Sequence, residues 1–303
     1  MSSWHSAPTS ILHSTSLQQS IETSKQKIVT DKIATNESDF FLSDLVTGCI
    51  RQFTINGTKI NRVQSFNVEG LGMSITNLTL VTQSNLYIFR QTGSVSNPLL
   101  DLLKYDDNDN AHVWMLFNAD FPPYNNMNKV INACVNNDNL LYLVTIHTVY
   151  CIDLIKKYVM YKLHTKLPII YACIDVHLNL IYLVHNSYTD SEHDLSFITV
   201  YNDKLEKLYN IQTLPINLQS MNMHFVVNNG LLFHVVGNEI TIYSDERDVH
   251  KNHDEHKLTM LQSYTMEHYP PDVETVFNVT TSEFGTLIVA GYDQDEIYIL
   301  HYQ

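Results

Sequence analysis

The sequence predicts an all-β protein made of one four-stranded antiparallel unit repeated along the chain. Three observations predict it. After residue 27, apolar and polar side chains alternate with period two, β-branched and aromatic residues sit between turn formers, and no helical period is sustained. One strand type recurs six times, as in VYCID at 149–153 and ITVY at 198–201. Each copy follows a more uniformly apolar strand, the pattern of a strand covered on both faces.

Taken in order, the first unit reads VTDKIA, then Phe40-Phe41-Leu42, then Ile50-Arg51-Gln52-Phe53, then KINRVQSF. The second reads GMSIT, Leu78-Thr79-Leu80-Val81, Leu86-Tyr87-Ile88-Phe89 and HVWMLF, with QTGSVSNPLLDLLKYDDNDNA as an insertion before its last strand. INACV, LLYL, VYCID and YVMYKL make the third, and YACID, LIYL, ITVY and LEKLYNI the fourth. The fifth is MHFVV, LLFH, ITIY and KLTMLQSY, with SDERDVHKNHDEH inserted in the same type of connection. The sixth, VFNVT, LIVA and IYIL, reaches Gln303 without a fourth strand. Fourth strands run into proline at Pro122-Pro123, Pro168, Pro215 and Pro270-Pro271, where proline stops a strand and opens the next connection.

Such repetition, at spacings of about 36 to 63 residues, is the signature of a β-propeller. Six blades are expected in one domain over 27–303, with seven as the alternative. The open edge of the sixth blade needs cover, because an exposed edge strand invites aggregation. The Ser/Thr/Gln-rich tail 1–26 holds the candidate, ILHSTSL at 11–17, as a ring-closing strand.

In TVYCIDLIKKYVMYKL, Asp153 stands where WD-repeat propellers carry the aspartate of their Trp-Asp pair, and Ile152 holds the tryptophan position. The chain resembles a divergent WD-repeat-like propeller in strand order over nearly everything after residue 27. It has no Trp-Asp dipeptide, no Gly-His dipeptide opening a blade, and two tryptophans, Trp4 and Trp114, so the family's Asp, His, Ser and Trp network does not transfer. Other propeller families stay open, and SDLVTGCIRQFTINGTKI is similar to an NHL repeat. The resemblance implies a rigid platform that brings proteins together without chemistry of its own.

Lys+Arg 18 against Asp+Glu 32 gives a formal charge of −14, which repels phosphate backbones and disfavours direct nucleic-acid or anionic-membrane binding. No basic patch interrupts that average. No apolar run reaches the length of a membrane span, and the N-terminus lacks the basic and apolar regions of a secretory signal. An intracellular protein is expected, cytoplasmic or nuclear. Cys49, Cys134, Cys151 and Cys173 show no CxxC spacing and read as reduced, buried thiols. Sequons beginning at Asn36, Asn56, Asn77 and Asn278 carry no weight in a chain so rich in Asn, Ser and Thr.

No nucleophile elbow, P-loop, dinucleotide fingerprint or HExxH helix is present, and glycine is scarce at 9. Inner-strand positions carry Cys134, Cys173 and Phe225, a poor cage for calcium or magnesium. His250, His253 and His256, beside Asp248, Asp254 and Glu255, are the densest metal candidate, though a solvated loop is the plainer reading. No cofactor is expected. In the other insertion, Leu99, Leu100, Leu102 and Leu103 with Tyr105 and the acidic Asp106, Asp107 and Asp109 are read as a loop leaving the blade. Packed back as a short amphipathic helix it is structural; left out, it docks a partner. The expectation is a non-catalytic scaffold or adaptor subunit of a hetero-oligomeric complex with protein partners. One alternative is the non-catalytic partner of an RNA- or chromatin-modifying enzyme, with a basic partner; another is a metal-dependent propeller hydrolase.

Overall fold

The structure is a computed structural model. It describes residues 130–136, 138–186 and 196–212 continuously, and elsewhere Gly230 and the strands named below. Every regular element among the described residues is a strand. Sheet 1 holds β1 (Thr30–Asn36), β2 (Asp39–Asp44), β3 (Cys49–Asn56) and β4 (Lys59–Asn67). Sheet 2 holds β5 (Ile75–Val81), β6 (Asn85–Ser94), β7 (Asn97–Tyr105) and β8 (Ala111–Phe117). Sheet 3 holds β9 (Val130–Val135), β10 (Leu140–Thr145), β11 (Thr148–Asp153) and β12 (Tyr158–His164). Sheet 4 comprises β13 (Ile169–Asp175), β14 (Leu180–Asn186), β15 (Ser196–Tyr201) and β16 (Lys207–Gln212). Sheet 5 comprises β17 (Met223–Asn228), β18 (Leu231–Val236), β19 (Glu239–Arg247) and β20 (Glu255–Thr265). Sheet 6 has β21 (Phe277–Ser282), β22 (Thr286–Gly291) and β23 (Ile297–His301).

Within each sheet, strands pair antiparallel in chain order, as successive hairpins must. Sheets 4 and 5 are also joined edge to edge. The last strand of sheet 4, β16, pairs in parallel with the start of β20, Asn210 to Glu255, Ile211 to His256 and Gln212 to Lys257. The first strands lie side by side in sequence order, β1 by β5, β5 by β9, β9 by β13, β13 by β17 and β17 by β21, and β21 lies beside β1.

The doubly apolar second strands explain how the sheets stack. On β10, Leu141 and Leu143 join Tyr87 and Leu102 of sheet 2 in one buried cluster. The alternate residues Tyr142 and Val144 join Ala172, Ile181 and Leu183 of sheet 4 in another. On β14 the pattern repeats, with Tyr182 and Val184 packed on Val227 and Leu232 of sheet 5. Each strand thus feeds two cores, and each buried side chain of this size contributes about 1.5–3 kcal/mol.

The turns repeat too. The residue before the second strand has positive φ in sheets 3, 4 and 5, at Asn139 (60°), Asn179 (52°) and Gly230 (76°). Asn and Gly are the residues that enter this region most easily. Lys157 (59°) and Leu205 (64°) hold the same conformation before the fourth strands of sheets 3 and 4. Leu205 is buried in the core between those sheets, which offsets its strained backbone.

Sheet 2 corrects the sequence reading. GMSIT and Leu78-Thr79-Leu80-Val81 are not two strands, since β5 runs from within the first through the second, and Leu86-Tyr87-Ile88-Phe89 belongs to the second strand, β6. The third strand is β7, inside the supposed insertion, and it pairs with β6 from Asn97 to Tyr105. Third strands then begin at Cys49, Asn97, Thr148, Ser196, Glu239 and Ile297, roughly 50 residues apart. The fifth-unit insertion is also shorter than read, because β19 extends to Arg247 and β20 starts at Glu255.

Candidate functional site

The residues expected to form a docking loop fall in a core strand. Leu102 is fully buried, and the preceding Asp101 and the following Leu103 and Tyr105 are buried too. Leu99 and Leu100 lie in the same strand, in register with Thr92 and Gln91 of β6. The reading of this segment as a loop or short helix is therefore corrected. Its leucine pairs fail to alternate because β7 has cores on both faces, and a leucine-rich run without period two looks helical. Asp106 and Asp107, and the rest of that acidic run, lie outside the described residues.

Of the three histidines, His250 and His253 also lie outside the described residues, while His256 sits on β20 at the seam with sheet 4. Its Nδ1 lies 2.7 Å from Asp245 Oδ1 on β19. The other oxygen of Asp245 accepts a hydrogen bond from the Tyr209 hydroxyl on β16, also at 2.7 Å. The His256 ring stacks on the Tyr209 ring with centroids 3.6 Å apart and planes 7° from parallel. Tyr182 on β14 extends the chain by hydrogen bonding to Tyr209. Burial foremost pushes both tyrosine hydroxyls far up from their ordinary value and holds them protonated, with Tyr209 next for Tyr182 and the Asp245 carboxylate next for Tyr209. An Asp–His pair in this setting resembles a catalytic dyad, but the second carboxylate oxygen and the imidazole face are occupied by Tyr209, which joins sheet 4 to sheet 5. Among the described residues, no group of three His, Cys, Asp or Glu side chains is placed to hold a metal ion.

Other polar side chains are engaged between sheets or within their own turns. Asp175, fully buried, accepts from the His177 and Leu178 amides of its own turn and, with its second oxygen, from Gly230 N of sheet 5 at 2.7 Å. Tyr142 of sheet 3 donates its hydroxyl to the Asp203 carbonyl in the last turn of sheet 4. Asp153, the residue carrying the WD-like resemblance, accepts from the amides of Ile155 and Lys156 and stabilises its own turn. Those backbone bonds, that of Lys156 foremost, hold its carboxyl below the usual range. His185 stacks on Phe197, and burial lowers its pKa. The Asp175–Gly230 and Tyr142–Asp203 bonds join residues far apart in sequence, and no local motif signals them.

All four cysteines are free thiols. Burial pushes Cys134 and Cys151 up to about 12, and Cys173 well above its ordinary value, so none of these three is a ready nucleophile. The chain matches no protein-family model and no curated protein. Among the described residues, no helix is long and apolar enough to cross a membrane.

Proposed function

We propose that the chain is a six-bladed β-propeller acting as a non-catalytic scaffold subunit that holds proteins together in a larger assembly. The observation that carries the architecture is the order of the first strands, each beside the next, with β21 beside β1. Six sheets following one another around an axis would have that neighbour relation. The segment at 11–17, which lies outside the described residues, would supply the fourth strand of sheet 6 and close the ring from the other end of the chain.

The scaffold reading rests on how the polar side chains are used. Asp175, Asp245, His256, Tyr142 and Tyr209 have the chemistry of an active site, yet each makes a contact that ties one sheet to the next. What such a molecule offers is a rigid surface, and rigidity lowers the entropic cost of binding. Affinity purification of the tagged full chain tests this. The expected result is one or more stoichiometric protein partners; a protein that elutes alone and turns over lactones or esters would overturn it. Residues 97–105 form a core strand, so deleting them would test folding and not docking. Removal of 248–254 is the informative deletion.

A further inference from the structure

The uniformly acidic surface expected from composition is interrupted along sheet 3. Between Asp153 and Asp175 the chain has no acidic residue, and Lys156, Lys157, Lys162 and Lys166 fall on its last strand, β12, and the turns that flank it. All four are exposed. Lys156 stays near its turn, 3.6 Å from Asp153, and Lys162 lies over the Tyr150 ring at 5.4 Å from its centroid. Ile155, just before the lysines, is 69% exposed, Tyr158, among them, 45%, and Leu167 is exposed beyond the strand. β12 is also the end strand of its sheet: among the described residues no strand pairs with its outer edge.

The neighbouring sheet shows what such an edge accepts. On β16, Asn210, Ile211 and Gln212 lie opposite Thr199, Ile198 and Phe197 of β15. On β12, Lys162, Leu163 and His164 lie opposite Tyr150, Val149 and Thr148 of β11. Ile198 and Val149 both turn toward the following sheet, so the two triplets are equivalent. The β16 triplet is occupied by a parallel strand that enters with Glu255, whereas no strand among the described residues pairs with the β12 triplet.

We propose that the outer edge of β12 is a docking site for an extended, acidic segment of a partner protein, which adds as a strand along Lys162–Leu163–His164. Main-chain hydrogen bonds to the open edge supply affinity, the lysines select acidic side chains, and Ile155, Tyr158 and Leu167 give apolar contacts at the ends. A nucleic acid fits less well, because a long polyanion would meet the remaining surface of a chain with formal charge −14. The proposal rests on the scaffold reading and names its partner class, yet it can fail alone, since stable partners could co-purify through another face.

The test is fluorescence anisotropy of the full chain with a labelled twelve-residue Glu-Val repeat peptide at low salt, against a Lys-Val repeat, oligothymidylate and phosphatidylserine vesicles. The expected result is saturable binding of the Glu-Val peptide alone, weakened at least tenfold in Lys162→Glu/Lys166→Glu, with circular dichroism and melting of the variant unchanged. Backbone N-methylation of alternate peptide residues, made in both phases, tests the edge without altering the protein, and one phase is expected to abolish binding. Binding indifferent to both methylation phases, equal binding of the Lys-Val peptide, or tighter binding of oligothymidylate or vesicles would overturn the proposal. So would a concentration-dependent dimer that the peptide does not displace.

Discussion

Tyr209 gives its hydroxyl to Asp245 and its ring to His256, so one side chain on sheet 4 meets two on sheet 5. Replacing it with Phe keeps the stacking and leaves a buried carboxylate oxygen without its donor. Tyr209→Phe is therefore expected to cost about 1–3 kcal/mol in urea unfolding, while Tyr158→Phe, at an exposed position, leaves the midpoint unchanged. His234 on β18 makes a different prediction. Burial lowers its pKa to about 4 from a model-peptide value of 6.5. The unfolded chain takes up a proton near pH 6.5 and the folded chain near 4, so the unfolded state binds more protons in that window. Its contribution is thus fully present above 6.5 and is lost as pH falls toward 4, by up to about 3 kcal/mol. At equivalent positions β10 and β14 carry Leu143 and Leu183, and His234→Leu is expected to flatten the stability profile between those pH values, as measured by thermal melts across the range.

At the scale of the element, β7 separates what the sequence shows from what it conceals. LLYLV, LIYLV and LLFHV are legible as second strands because short apolar runs between turn formers are unusual elsewhere in the chain. NPLLDLLKY is not, because Pro98, the paired leucines and a central acid each argue against a strand, and only burial on both faces reconciles them. Leu102→Ala is expected to cost about 2–5 kcal/mol in chemical denaturation, where a leucine on a loop would cost almost nothing. The candidate site was less legible still. His256 could be picked out by its spacing from His250 and His253, but its partner Tyr209 lies 47 residues upstream, and the parallel register that joins them is a property of the assembled sheets. The lysine band was hidden for a related reason: a formal charge summed over the chain averages away a local run of one sign.

Across the whole molecule, the thiols report on packing at several places at once. Cys49 is in sheet 1, Cys134 and Cys151 in sheet 3, and Cys173 in sheet 4, and none is bonded to another. With burial holding Cys134, Cys151 and Cys173 protonated, a disulfide-exchange reagent is expected to label these three slowly in the native protein and all four at once in denaturant. Rapid labelling of Cys151 or Cys173 would mean that the sheets do not pack on both faces as described. The fold was legible at this scale because repetition makes each unit evidence for the others. Function was less so, since the residue types that usually betray chemistry are used here to bind sheet to sheet.

The parallel pairing of β16 with β20 has a consequence for motion. Elsewhere among the described residues, consecutive sheets meet through side chains and single hydrogen bonds, and one can loosen while its neighbour holds. Sheets 4 and 5 share main-chain hydrogen bonds over Asn210–Gln212 and Glu255–Lys257, backed by the Tyr209 and His256 rings, and cannot part without breaking them together. In native-state hydrogen exchange the amides of β13–β20 are expected to exchange as one cooperative block, with a common opening energy, while those of sheet 3 open independently. That seam makes the middle of the chain a single stiff panel, and concentrates the molecule's breathing on either side of it.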